Sequence, residues 1–403
     1  MRWLRSVNLV SQRHCDVKPD EYIAAPWIGR GTVVRKDEYN LNILDNSLDK
    51  FHSAGLIIED NVQEGVLHIK DDLLLTLSHT GLPDKYNPWR DHAASLPFDM
   101  RHFPTYLRVV EYISRSDASC LLALPGTSLA CRAVLLLGDD AQQEHFFSRF
   151  LTQPSWTFFA VSEPEVGSDA ASITTRLESG EQGLTLTGSK MFIGGAQIAS
   201  IGLVFARHGD RTQLIMVEPQ QAPEAITVEP LAAYGLAGAG LSRITFDAFP
   251  VQPEQILGLT ASPLRQGINA LTQVFEKHRP LVAAMALGTA RGFLEALARE
   301  DIHEKDLWRQ YHSLYARLME VGEHFHQERS RVWQTSQIKR QATAFVERVA
   351  HRLPHLLPTE YWVNQPGLMK RYRDAFAFEY MEGTSNIHLL NGWRGFLTGK
   401  EKG

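Results

Sequence analysis

The hydrophobic pattern of this chain changes twice, and this change is the strongest constraint on its fold. From Phe103 onward apolar residues recur at helical spacing, which predicts two buried helices, the second over residues 120–137. At Trp156 the chain becomes aromatic and β-branched, which favours strands. Past Gly258 the helical spacing returns. The pattern therefore predicts an α+β protein with an N-terminal helical domain, a middle β domain and a C-terminal helical bundle.

The domain bounds follow from these changes. We predict a helical domain over residues 1–155, a β domain over 156–258 and a helical bundle over 259–403. The strand-like runs are residues 156–161, 184–187, 201–205, 213–217 and 243–246. The glycines that predict turns around them are Gly180, Gly183, Gly188 and Gly209.

Two features of the last region predict helix packing. Residues 281–299 are rich in alanine and glycine, which permit close approach of helices in a bundle. Residues 307–325 carry apolar side chains at alternating spacings of three and four, a face suited to a bundle or a subunit interface.

Composition excludes some classes of protein. The formal net charge of −5 lacks the basic excess of a nucleic-acid-binding protein. Three cysteines, Cys15, Cys120 and Cys131, form neither a disulfide framework nor a metal-site spacing, so we expect no metal and a cytoplasmic setting. We expect no signal peptide in residues 1–10 and no membrane span.

A carboxylate near the C-terminus is the first candidate for catalysis. Residues 380–388 (YMEGTSNIH) place Glu382 after an aromatic run and directly before Gly383. Apolar surroundings raise the pKa of a carboxylate and make it a better base, because desolvation disfavours the charged form. The glycine allows backbone amides to approach a ligand closely.

Two further motifs lie in the middle of the chain, at residues 159–169 (FAVSEPEVGSD) and 188–196 (GSKMFIGGA). Read alone, the first is a strand followed by a turn, and the second is a tight turn at Gly188 into a short strand. Together with the segment around Glu382, in this order and spacing, they resemble the acyl-CoA dehydrogenase family of flavoproteins. The resemblance covers the chain from about Phe103 onward and implies the same order of helical, strand and helical regions.

The resemblance implies FAD as cofactor and a set of residues around it. The cofactor-binding candidates are Phe159, Val161, Ser162, Gly167, Ser168, Phe192, Ile193, Gly194, Thr384 and Asn386. In the family an aromatic residue at the position of Phe192 stacks on the flavin. A threonine hydroxyl at the position of Gly194 often bonds the flavin, and glycine supplies no such hydroxyl.

The substrate-binding candidates implied by the resemblance are Ser168, His278, Arg279 and Gly383. Arg279 precedes Pro280, and both match a family segment in which a helix begins near the active site. Some relatives carry their catalytic glutamate at the position of His278, so the base here is expected to be Glu382 alone.

The implied activity is the introduction of an α,β double bond into an acyl thioester, bound to coenzyme A or to an acyl carrier protein. Glu382 acts as the base, hydride passes to the flavin, and an electron-transfer flavoprotein is a typical acceptor. A homodimer or homotetramer is expected. Two alternatives stay open: a non-catalytic scaffold on the same fold, and a flavin oxidase or monooxygenase.

The chain departs from the family pattern in several places. The signatures that hold the adenosine end of FAD are replaced by other residues at 297–305 and 352–360. Residues 331–373 are rich in lysine and arginine, including Lys339, Lys370 and Arg373. A basic surface there would attract an acidic acyl carrier protein, whereas a solvated helix face would carry no function.

Overall fold

The computed structural model describes residues 22–24, 33–35, 41–69, 71–167, 169–181, 183–259, 266–329 and 331–397. The chain divides into two compact units, Met1–Ile43 and Leu44–Gly403. The first contains an antiparallel pair of short strands, β1 (Tyr22–Ala24) and β2 (Val33–Arg35), that the helical pattern did not predict. The expectations about residues 1–10 and Cys15 lie outside the described residues.

The second unit begins with helices. They are α1 (Asp45–Asp60), α2 (Val62–His68), α3 (Asp72–Ser78), α4 (Arg90–Ser95), α5 (Phe103–Ala123), α6 (Leu129–Leu137) and α7 (Asp140–Phe147). The predicted single helix over residues 120–137 is wrong, because Cys120 belongs to α5 and the chain leaves the helix before Pro125. Gly126 there has a φ of 127°, and a Cβ on it would lie 2.3 Å from the Ser78 carbonyl oxygen. Helix α7 is capped by Asp139, whose carboxylate accepts a hydrogen bond from the Gln142 amide at 2.9 Å.

Strands follow, as predicted from Trp156 onward. They are β3 (Thr157–Ala160), β4 (Arg176–Gly180), β5 (Gly183–Ile193), β6 (Ile201–His208), β7 (Arg211–Val217), β8 (Ile226–Pro230) and β9 (Ser242–Val251). Among the described residues they form one sheet in the order β3-β6-β4-β5-β9-β8, with β7 paired to the other edge of β6. The pairing of β3 with β6 is parallel, whereas β5 pairs with β4 and β9 antiparallel.

The predicted turn at Gly188 is wrong, because β5 runs through it. Gly188 lies at a bulge between β5 and β9 with a φ of 145°. A Cβ on it would lie 2.6 Å from the Thr175 Cα atom, so glycine is required here by close packing as well as by backbone angle.

The remaining helices form the C-terminal bundle. They are α8 (Gly267–Arg299), α9 (Lys305–His326), α10 (Val332–Leu356), α11 (Thr359–Asn364), α12 (Pro366–Ala377) and α13 (Ser385–Leu397). The bundle core is built from α5, α8, α9 and α10. The apolar face of α9 is part of that core, since Leu307, Tyr311 and Leu318 are buried there, so it is not available as a subunit interface.

Helix α8 is the centre of the bundle. Among the described residues it alone is long and apolar enough to cross a membrane by length and composition, but 83% of its most apolar window is buried inside the protein. That burial is typical of the core helix of a bundle. Its first half also reaches the sheet, because the Phe275 ring meets the Phe159 ring of β3 edge to face, with centroids 6.1 Å apart.

Candidate active site

The candidate base lies in the turn between α12 and α13. A single 3₁₀ turn, Phe378–Tyr380, follows α12, and Glu382 comes after it with a φ of 50°. The next residue, Gly383, has a φ of 100°. Left-handed backbone is uncommon for a residue other than glycine and persists where the surroundings enforce it. The turn therefore holds Glu382 in a defined orientation.

Hydrogen bonds from three directions enforce this conformation. Lys339 of α10 donates its ammonium protons to the Glu379 carbonyl at 2.8 Å and to the Gly383 carbonyl at 2.7 Å. The Glu379 carboxylate accepts from the backbone amide of Ser385 at 2.6 Å and from its hydroxyl at 2.8 Å, at the start of α13. Arg279 of α8 donates its Nε proton to the Glu382 carbonyl at 3.4 Å.

Two opposing effects act on the pKa of the Glu382 carboxyl group. Burial raises the pKa of its carboxyl group, as the aromatic surroundings in the sequence predict. Lys339 and Arg279 act in the opposite direction by stabilising the carboxylate. A carboxylate raised in pKa but still flanked by two cations is suited to accept a proton.

Arg279 and His278 occupy neighbouring positions on α8 but differ in their surroundings. Arg279 is buried and also donates to the Ser336 hydroxyl of α10 at 3.2 Å. Burial, together with the charges of Lys277 and Arg132, lowers the pKa of His278 to about 3. His278 is therefore neutral at physiological pH and supplies no permanent charge.

The strand side of the site is organised by a buried ion pair. Glu163, directly after the segment of Val161 and Ser162, accepts from the Lys190 ammonium group at 2.9 Å. Lys190 also donates to the Val161 carbonyl at 2.9 Å, and the Met191 amide donates to the Ser162 carbonyl at 2.9 Å. These bonds join the loop after β3 to the end of β5, so the two mid-chain motifs lie side by side.

The predicted cofactor residues differ in exposure. The side chains of Val161 and Ile193 are buried in apolar clusters, which leaves only their backbone atoms for a ligand. Phe192 is the opposite case, because its side chain is 61% exposed and its φ is 62°. Gly167 is exposed, and Ser168 lies outside the described residues.

Contacts between elements connect the two halves of the predicted site. Phe159 of β3 meets Phe275 of α8, and Arg279 lies one turn further along the same helix. Arg279 in turn contacts the carbonyl of Glu382. Thr384 is half-buried and Asn386 exposed, both at the start of α13 directly after the turn.

The strand ends fit the flat ring system of a flavin. Phe192 presents an exposed aromatic side chain, and among the described residues other than its chain neighbours none has an atom within 4 Å of a Cβ built on Gly167. A Cβ on Gly194 would lie 3.1 Å from the Ala239 carbonyl oxygen, so the turn around Ala239 occupies the space that a larger residue would need. Gly194 thus leaves space beside the exposed ring of Phe192, but it can contact a ligand only through its backbone atoms.

The segments that replace the adenosine-binding signatures meet each other instead. Arg352, at the end of α10, forms an ion pair with Glu304, at the start of α9, at 3.0 Å. Residues 297–305 and 352–360 therefore do not provide the contacts that members of the family usually make with the adenosine end of FAD. The residues around Phe192 and Glu382 fit the flavin end.

The sequence predicted no role at the turn for four residues that lie around it: Ser336, Lys339, Glu379 and His388. The predicted basic surface over residues 331–373 is smaller than the sequence implied, because two of its lysines are internal. Lys339 and Lys370 are fully buried, and Lys370 forms ion pairs with Asp117 and Asp374 at 2.9 and 2.8 Å. Arg373 pairs with Glu59. Lys339 and Lys370 therefore add no charge to the surface, whereas Arg348 and Arg352 of α10 are exposed.

Comparison with known proteins agrees with this architecture. The middle domain of acyl-CoA dehydrogenases matches residues 158–249, and the C-terminal domain of acyl-CoA dehydrogenases matches residues 265–397. Together these matches span more than half of the chain. The chain belongs to the acyl-CoA dehydrogenase family.

Individual relatives are distant. An acyl-CoA dehydrogenase of Alternaria alternata is 29% identical over 172 residues, which are 42% of this chain and 39% of that protein. The human mitochondrial short-chain specific acyl-CoA dehydrogenase is 24% identical over 318 residues, 72% of this chain and 76% of the relative. The match to the first of these relatives therefore spans well under half of its length.

Solved structures share the fold at low sequence identity. A prolyl acyl carrier protein oxidase has a TM-score of 0.72 at 17% identity, covering 89% of this chain and 98% of that one. An acyl-CoA dehydrogenase from Bacillus anthracis, complexed with FAD, has a TM-score of 0.73 at 15% identity, covering 90% and 68%. At such identities the likeness establishes the fold, and function rests on the site.

Proposed function

We propose that this protein is an FAD-dependent dehydrogenase that introduces an α,β double bond into an acyl thioester. The observation that carries the proposal is the geometry of Glu382, a partly buried carboxylate in a left-handed turn held by Lys339 and Arg279. That turn is connected through α8 to the strand ends that fit a flavin. Family membership supports the same reaction class.

In this proposal Glu382 removes the proton from the carbon next to the thioester carbonyl, and its carboxylate becomes a carboxylic acid. The backbone amide of Glu382 donates to the thioester carbonyl oxygen, which gains negative charge as the proton leaves. FAD, when bound, supplies the acceptor for the hydride released from the neighbouring carbon. Arg279 holds the Glu382 carbonyl and so keeps the turn in place during the transfer.

The cofactor residues in this proposal are those predicted from the sequence. Phe192 would pack on the ring system of the flavin, and Phe159, Ser162 and Gly167 would line it. Ser168, which lies outside the described residues, remains a predicted contact. Val161, Ile193 and Gly194 contribute backbone atoms, and Thr384 and Asn386 line the site from the start of α13. Gly383 and Arg279 border the substrate, whereas the neutral His278 contributes only its shape and a hydrogen-bonding ring.

The partners are also part of the proposal. The carrier of the acyl group, coenzyme A or an acyl carrier protein, stays open, because two lysines of the predicted basic surface are internal while Arg348 and Arg352 are exposed. An electron-transfer flavoprotein is the proposed acceptor, and the domain bounds 1–155, 156–258 and 259–403 are retained. Cytoplasmic location remains a prediction, and some relatives are mitochondrial proteins by name.

The test is the visible spectrum of the purified protein, followed by bleaching of the flavin under anaerobic conditions with acyl-CoA and acyl-carrier-protein substrates. We expect a flavin spectrum that an acyl thioester bleaches. Glu382→Gln should retain the flavin and the fold but slow bleaching about a hundredfold or more, because the base is lost.

The outcomes separate the alternatives. A protein that stays colourless with excess FAD contradicts the proposal and favours a scaffold. Near-normal bleaching in Glu382→Gln refutes the assignment of the base. Rapid turnover that consumes oxygen without any other acceptor identifies a flavin oxidase or monooxygenase.

A further inference from the structure

Lys339 spans the turn that carries the proposed base. It is fully buried in α10, and its ammonium group donates to the carbonyls of Glu379 and Gly383 at 2.8 and 2.7 Å. These two carbonyls lie on either side of Glu382 in the chain. One cation therefore joins both ends of the segment whose middle is the candidate catalytic residue.

The turn depends on contacts of this kind because its backbone is unusual. Glu382 and Gly383 both have a positive φ, and only the second is a glycine. Arg279 holds the Glu382 carbonyl from α8, at the longer distance of 3.4 Å. The two short bonds from Lys339 are thus the main link between the turn and the rigid bundle on the α10 side.

We propose that Lys339 is a positioning residue for the proposed base. It fixes the left-handed turn at Glu382 and provides buried positive charge that favours the ionised carboxylate. This inference rests on the proposed function, in which Glu382 is the base. The proposed function does not itself depend on a role for Lys339. It adds that the readiness of Glu382 to accept a proton depends on a residue that does not touch the substrate.

The charges around the turn are consistent with this role. Burial lowers the pKa of Lys339 to about 8, against the charges of Glu379 and Glu382, so Lys339 is protonated at neutral pH. Arg279 faces Glu382 from α8, and Glu347 of α10 lies near Lys339 and Glu379.

His388 of α13 is a further titratable group near the turn. Burial lowers its pKa to about 3, with the charges of Lys339 and Arg279 acting in the same direction, so it is neutral at working pH. Lys339 and Arg279 are accordingly the cations that stabilise the Glu382 carboxylate.

The experiment compares neutral and charged replacements of Lys339 in the full-length flavoprotein. Lys339→Met removes both the charge and the donors, Lys339→Gln keeps a single donor group, and Lys339→Arg keeps the charge. The rate of flavin bleaching by an acyl thioester is measured between pH 5 and 9. Bleaching increases with pH as Glu382 loses its proton, and the midpoint of that increase is the readout.

We expect both neutral variants to move this midpoint upward by about one pH unit, because an opposite charge close to a carboxylate lowers its pKa by one unit or more. We also expect a fall of roughly tenfold or more in maximal rate from the misplaced turn. Lys339→Arg should keep the midpoint within about 0.3 unit of the wild type.

Arg348→Met is the control. Arg348 is an exposed cation on the same helix as Lys339, α10. Its replacement removes a positive charge from that helix without touching the turn, so the midpoint should stay at the wild-type pH.

The pH midpoints of the variants test whether Lys339 positions Glu382. A wild-type midpoint in folded Lys339→Met or Lys339→Gln overturns the inference, and so does loss of fold in both neutral variants. Failure of the proposed function differs, because the wild type would then show no bleaching by any thioester, or bleaching that Glu382→Gln leaves unchanged.

Discussion

At the scale of single residues, the loop after β3 depends on one buried carboxylate. Glu163 accepts from the Thr174 amide at 2.7 Å, the Thr175 amide at 2.8 Å and the Lys190 ammonium group at 2.9 Å. Burial acts to raise the pKa of Glu163, but these donors prevail and lower it to about 2. Because a buried charge without its partner is costly, both members of the pair are needed for the loop that lines the proposed flavin site.

Glu163→Gln should therefore lower the free energy of unfolding by about 3 kcal/mol at pH 7, since it leaves the Lys190 charge buried and uncompensated. Urea denaturation measures this loss. The carboxylate's contribution is present above its unfolded pKa of 4.5 and is lost as the pH falls toward 2, so the difference between the two proteins should shrink over that range.

Glu165→Gln is the control, because Glu165 is exposed in the same loop and its replacement should stay within about 0.5 kcal/mol of the wild type. Equal stability of the two variants would show that the ion pair contributes nothing to the fold.

The sequence predicts some of these residues and not others. Glu382 was identifiable because a carboxylate beside aromatic residues and before a glycine has a local signature. Lys339 was not, because its partners are carbonyls of the turn before α13, and only the packing of α10 brings them together. Next to Arg340 in the sequence, Lys339 has the pattern of a solvated helix face.

At the scale of elements, α8 and α5 pack with their backbones unusually close. A Cβ on Gly288 would lie 2.1 Å from the Glu111 carbonyl oxygen, and one on Gly292 would lie 2.2 Å from that of Arg115. The run of small residues in 281–299 predicts this approach. The close packing fixes α8, which carries Arg279 toward the turn and Phe275 toward the sheet.

Gly288→Ala should destabilise the protein by about 3 kcal/mol, because the new methyl group meets backbone that cannot move aside. The measurement is again the free energy of unfolding. Gly322→Ala in α9 is the matched control, since its methyl group would meet chiefly the flexible end of Leu107. In Gly322→Ala the gain in helix propensity offsets the close contact with Leu107. The free energy of unfolding should therefore stay within about 1 kcal/mol of the wild type. If Gly288→Ala left the free energy of unfolding unchanged, α5 and α8 would have room to move apart, which would contradict this prediction.

Element boundaries were less predictable than element order. The strands β4 and β8 lacked a clear signal, because each buries few of its side chains and is held by its neighbours in the sheet. The turn predicted at Gly188 was wrong because the glycine serves a bulge and a close contact with Thr175 inside a continuous strand. In both cases pairing with distant segments outweighed the local pattern.

At the scale of the whole molecule, α13 presents an apolar face that the described residues leave uncovered. The helix lies against α10 through Gly392 and Gly395, which approach Gln337 and Trp333. Its outward apolar side chains, between 42% and 79% exposed, are Leu389, Leu390, Trp393, Phe396 and Leu397. Contiguous apolar surfaces of this kind mark protein interaction sites. The face begins soon after the proposed catalytic turn. The apolar face of α9, predicted to serve either a bundle or an interface, lies in the bundle core.

We therefore expect a homodimer or larger assembly of the 45.4 kDa chain in which this face is covered. Light scattering of the purified protein measures the mass. The double variant Trp393→Ser and Phe396→Ser should shift it toward the monomer, because it removes two large apolar side chains from the face. Leu151→Ser, at an exposed leucine remote in sequence from α13, should leave the mass unchanged. A wild-type monomer that retains tightly bound FAD would contradict assembly altogether. An oligomer that survives the double variant would place the interface elsewhere on the molecule.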